Sequence, residues 1–67
     1  MIDKDKKQRL MSELISVHDH VNNAMKYLVR YPDHVSDISS AIGCADYAMG
    51  RVNDTMHDIP ELDREDV

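Results

Sequence analysis

Tryptophan and phenylalanine are missing from this 67-residue chain, cysteine occurs once, and glycine and proline occur twice each. Each scarcity removes a class of answer. A single cysteine, Cys44, excludes an internal disulfide, and no Cys/His spacing matches a structural zinc site. No stretch approaches the ~20 apolar residues of a membrane span. The opening MIDKDKKQRL carries charge with no apolar core of about 7–15 residues behind it, so no export signal is read there. A lone thiol suits a reducing compartment, and the expectation is a soluble, cytoplasmic protein that does not engage membranes. No glycine-rich phosphate loop occurs, because Gly43 and Gly50 are too far apart.

What is present is charge and periodicity. Net charge is −5, unevenly spread. Residues 1–31 hold six cations (Lys4, Lys6, Lys7, Arg9, Lys26, Arg30) against four acids, a balance of +2. Residues 32–67 hold two cations against nine acids, a balance of −7. Such asymmetry suits either a basic face for an anionic partner or attraction between the two halves.

Apolar residues fall into two series with alternating steps of three and four. The first is Leu10, Leu14, Val17, Val21, Ala24, Leu28 and Tyr31; the second is Val35, Ile38, Ile42, Ala45, Met49, Val52, Met56 and Ile59. Both are heptad seams, and no strand-like alternation competes. Pro32 disfavours helix at Tyr31, Asp33 is a good N-cap, and Pro60 stops the second series. The sequence therefore predicts an all-α antiparallel hairpin over 1–59. Helix 1 is expected at about 4–30, a turn at 31–33 and helix 2 at about 34–58. An acidic tail over 60–67 is expected to be frayed. Folded at Pro32, the seams pair in layers: Leu28 with Val35, Ala24 with Ile38, Val21 with Ile42, Val17 with Ala45, Leu14 with Met49, and Leu10 with Val52.

A lone hairpin of this length has little core, since a chain near 60 residues buries only about 60% of its unfolded surface. Helix 1 carries a second apolar stripe, Met11, Ile15, Met25 and Val29, interrupted by His18 and Asn22. Helix 2 offers a thin strip of Ala41, Ala45, Ala48 and Val52, with Gly43 and Gly50 nearby. Small residues let helix axes approach. These two surfaces are expected to form a homodimer interface and close a four-helix bundle; the other reading of the glycines is room for a ligand.

Catalytic chemistry finds no foothold, so no catalytic residue, metal ligand or cofactor is expected. His18 and His20 diverge by about 200° on a helix and cannot share an ion. His34 and His57 lie at opposite ends of helix 2, and Cys44 has no nearby histidine in sequence. A binding surface is the better expectation. Asn23, Lys26, Tyr27 and Arg30 stand at one end of helix 1 and Lys6 and Arg9 at the other, a basic face suited to phosphates with a ring for stacking. Asp19 and Glu13 interrupt it, and an ordinary solvated face is the alternative.

The hairpin length, the mildly basic first helix, the acidic second helix and the acidic tail resemble the Rop family of plasmid copy-number regulators. The likeness covers residues 3–59 and is one of architecture. It implies a dimeric four-helix bundle that binds RNA through its first helices. That family's RNA face uses a phenylalanine and this chain has none, so no individual residue is carried over. A second resemblance is to phage hairpin proteins that sequester cyclic nucleotide signals, with IGCA (Ile42 to Ala45) standing for a core step. It implies a phage- or plasmid-type inhibitor of a host protein or of a cyclic nucleotide. A third, to copper-sensing helical repressors, rests on His34 at the start of helix 2, and the further ligands do not match. The expectation is a small regulatory binding protein acting on RNA or another nucleic acid, with the inhibitor as the alternative.

Overall fold

The computed structural model describes residues 1–62. Two helices pack against each other as an antiparallel hairpin: α1 spans Lys4–Arg30 and α2 spans Val35–His57. A short 3-10 turn follows at Pro60–Leu62. Part of the stretch expected to fray is thus ordered into a turn, and residues 63–67 of that acidic tail lie outside the described residues.

The breaks follow from local chemistry. Nothing inside α1 is glycine or proline, so 27 residues run unbroken. Tyr31 caps α1, its N–H bonding Tyr27 O at 2.7 Å, because Pro32 disfavours helix in the residue before it. The turn is closed by His34 N–H to Tyr31 O at 2.9 Å and Val35 N–H to Asp33 O at 2.9 Å. Ile38 N–H to His34 O then opens α2. The N-cap is therefore His34, one residue beyond the expected Asp33, and no side chain caps the helix. The acid that meets the positive end of α2 is Asp37, in its first turn, 3.4 Å from His34 Nδ1.

The molecule measures 45 × 24 × 14 Å, little more than one helix diameter in its thinnest direction. Its covered strip runs through Leu10, Val17 and Ala24 on α1, Ile38, Ala45 and Val52 on α2, and Ile59 just past its end. Beside these lie Glu13, His20 and Tyr27 on α1 and Ala41, Ala48 and Thr55 on α2, also partly or fully covered. Three of the six expected layers are covered. The others, Leu14/Met49, Val21/Ile42 and Leu28/Val35, stay at the edge, between 40% and 68% exposed. The contact is rotated toward the alanine column of α2, whose short side chains leave room for Glu13 and His20. Two helices in one layer cover only one strip, so the other half of the seam has nothing to lie against.

That rotation covers much of the strip expected at a dimer interface. Ala48 and Val52 are 5% and 3% exposed within the single hairpin, and Ala41 and Ala45 are partly covered. The small-residue strip lies between α1 and α2 of one chain, not on a surface free to meet another hairpin. The glycines take no part in this closeness. A Cβ built on Gly43 or Gly50 meets nothing within 4 Å, and neither glycine has a positive φ. Gly50→Ala should therefore stabilise α2 by about 1 kcal/mol, a rise of about 4–8 °C in the thermal midpoint of a domain this small. A fall would reveal a close neighbour at Gly50.

Candidate functional site

The six residues expected on one basic face divide into two groups with different duties. At the open end, Lys6 Nζ donates to Asp58 O at 2.7 Å, and Arg9 Nη1 donates to Asp58 Oδ2 at 3.4 Å. Arg9 Nε also stands 3.6 Å from Glu13 Oε2, while the buried Thr55 hydroxyl donates to Glu13 Oε1. These cations sit at the C-terminal, negative end of α2 and tie it to the start of α1. Lys6 and Arg9, expected as binding residues, are thus engaged within the hairpin. Attraction between the halves, the simpler reading of the charge asymmetry, operates here.

The other four come together at the turn. Asn23, Lys26, Tyr27 and Arg30 line a shallow depression of about 190 Å³, joined by Tyr31. Among the described residues neither Lys26 nor Arg30 makes an ion pair or side-chain hydrogen bond. Both charges are therefore available to a visitor. Behind them is a cluster of rings. Tyr31 stacks on His34 at 5.1 Å and 22°, and Tyr27 lies tilted to Tyr31 at 6.1 Å and to His34 at 6.5 Å. The contribution of Tyr31 and His34 was not read from the sequence. In the sequence Tyr31 reads as the last member of the apolar series, and its spacing of four from Tyr27 is the one signal that pairs the two rings.

A second depression, of about 380 Å³, opens along the same flank of the hairpin. Ser16 and His20 of α1 line it with Ser40, Gly43, Cys44, Tyr47 and Arg51 of α2. His20 is partly covered, Tyr47 is 74% exposed, and Cys44 is a free, exposed thiol. Here the missing side chain of Gly43 does leave space. Ser12 and Glu13 extend this groove toward the open end, again with Ser16 and Arg51.

The opposite flank is apolar. Met11, Leu14, Ile15, Val21, Met25, Leu28 and Val29 on α1 and Val35, Ile42 and Met49 on α2 are all 40–82% exposed. Four of these, Met11, Ile15, Met25 and Val29, are the stripe expected at an oligomer interface. His18 lies among them, 3.3 Å from the Asn22 amide nitrogen and 4.0 Å from Asp19. His18 and His20 stand on different flanks, and among the described residues no three of His, Cys, Asp and Glu group closely enough to hold a metal ion. No described helix is long and apolar enough to cross a membrane.

Comparison of the chain with protein-family models, with curated proteins and with solved structures returns no match.

Proposed function

We propose that this chain is a non-catalytic regulatory binding protein. It works as a homodimer, two hairpins joined through their apolar flanks into a four-helix bundle, and it grips RNA or another nucleic acid at the turn end of α1. A lone unpaired thiol suits the cytoplasm as its place of action. The observation that carries the binding half is the grouping of Asn23, Lys26, Tyr27 and Arg30 in one depression, with both cations unpartnered among the described residues. Lys and Arg neutralise phosphates, the amide of Asn23 reaches sugar or base edges, and a tyrosine ring stacks an unpaired base. Single-stranded loops fit this set better than duplex, because their bases are free to stack.

The dimer half rests on ten exposed apolar side chains on one flank, far more than a monomer of this size carries comfortably. Sedimentation at micromolar concentration should report a dimer or larger. A stable, cooperative monomer would remove this half.

The second reading is an inhibitor that sequesters a small anionic ligand, a cyclic nucleotide being the type, or that binds a host protein. The groove with Arg51, Ser16, Ser40 and Tyr47 favours the small-ligand form, offering a cation, hydroxyls and a ring together. Titration of a stem-loop RNA and of a cyclic dinucleotide over a range of salt separates the readings. A polyanion releases many counterions and its affinity falls steeply with salt, whereas a ligand with two charges responds weakly.

A further inference from the structure

We infer that the hairpins pair with α1 antiparallel to α1 of a second copy, about a two-fold axis level with residue 20. This rests on the homodimer reading and specifies its geometry. The outer stripe of α1 is Met11, Ile15, His18, Asn22, Met25 and Val29, exposed except for the partly covered Asn22, with steps of 4, 3, 4, 3 and 4. That spacing reads identically in both directions. Met11 mirrors Val29, Ile15 mirrors Met25, and His18 mirrors Asn22, all about position 20.

A two-fold interface is isologous: what residue i of one copy touches at j, residue j touches at i. Laid antiparallel, Met11 meets the partner's Val29 and Ile15 meets the partner's Met25, apolar on apolar throughout. His18 then meets the partner's Asn22, and Asn22 meets the partner's His18. The two polar residues in an otherwise greasy stripe thus come level with each other, on either side of the axis. Their present contact of 3.3 Å within one chain shows that the two side chains suit each other. Buried polar groups of this kind fix register, since any slip leaves them against hydrocarbon.

Charge selects the orientation. A parallel pairing would set Lys4 and Lys7 of one copy against those of the other. The antiparallel pairing separates these ends by the length of α1, about 40 Å. It also carries Lys7, which continues the stripe one step below Met11, to the partner's turn. The mirror position of Lys7 is Asp33, and neither residue has an ion partner within its own chain among the described residues.

A slab 14 Å thick has no second layer, and a domain core needs two.

Disulfide trapping tests the geometry. In a Cys44→Ser background, Ile15→Cys and Met25→Cys are introduced singly and together, with helicity checked by circular dichroism. Within one helix these positions are about 15 Å apart, too far for a bridge, which needs Cα atoms within about 7 Å. Mild oxidation should convert most of the double variant to covalent dimer and leave both single variants uncrosslinked. Crosslinking of the single variants as efficient as that of the double would mean parallel packing and overturn the inference. So would a chain that sediments as a dimer while no variant crosslinks, with the homodimer reading left standing. A chain that sediments as a monomer would remove both.

Discussion

Replacing Ile59 with alanine should remove most of the stability of the hairpin. Ile59 is 1% exposed, the most buried large side chain among the described residues, and its neighbours along α2, Thr55 and Val52, are 1% and 3% exposed. Isoleucine to alanine at such a site costs about 2–5 kcal/mol, counting the cavity left behind. A chain of this length has only about 3–10 kcal/mol to lose, so the thermal midpoint should fall by about 10–30 °C. Ile42→Ala is the control, because Ile42 is 54% exposed in the hairpin. Measured at low protein concentration, where self-association is minor, its midpoint should move far less. Equal shifts for the two variants would place Ile59 outside the core.

The location of that residue is informative. Ile59 lies beyond the end of α2, its N–H bonding Met56 O at 3.1 Å, and the 3-10 turn after it closes with Leu62 N–H to Ile59 O at 2.9 Å. Residues Pro60–Leu62 therefore turn back against the end of α2, beside the place where Lys6 and Arg9 bind Asp58. Apolar spacing pointed to Ile59 as the last member of its series. It did not reveal the turn, since PEL has no periodicity of its own.

The same division between legible and illegible runs through the molecule. Heptad spacing and two prolines reveal a pair of helices and where they break, because those are properties of the local chain. Which half of each seam turns inward is a different matter. Leu10, Val17 and Ala24 face α2 while Leu14, Val21 and Leu28 remain outside, a choice made by the low profile of Ala41, Ala45 and Ala48 opposite. The alanines drew attention correctly as a close-packing surface, but the helix that approaches them is in the same chain. Spacing alone cannot say whose helix comes near. Likewise six residues of suitable chemistry are visible on helix 1, yet only the fold shows that Asp58 and Glu13 engage Lys6 and Arg9, while Lys26 and Arg30 have no ion partner among the described residues.

Lys26→Glu combined with Arg30→Glu should abolish high-affinity binding of a polyanion while leaving the hairpin folded. Both side chains are exposed and unpartnered among the described residues, so no contact within the chain is lost. The structural cost is confined to the last turn of α1, where reversing Arg30 against the helix dipole costs about 0.3–1 kcal/mol. Two phosphate contacts are removed and two repulsive charges take their place. Affinity for a stem-loop RNA should fall by about 100-fold or more at low salt, and the slope of log affinity against log salt should become shallower by about two. Lys6→Glu is the discriminating companion, since Lys6 holds Asp58 O at 2.7 Å. It should lower the melting temperature and leave the salt slope unchanged, because its charge already serves the fold. Anisotropy titrations of all three proteins at several salt concentrations, alongside thermal melts, separate the two effects. If the double reversal binds as tightly as the parent at every salt concentration, the turn-end site is not where a nucleic acid sits. Arg51→Glu, in the groove on the same flank, would then be the variant that should lose its ligand.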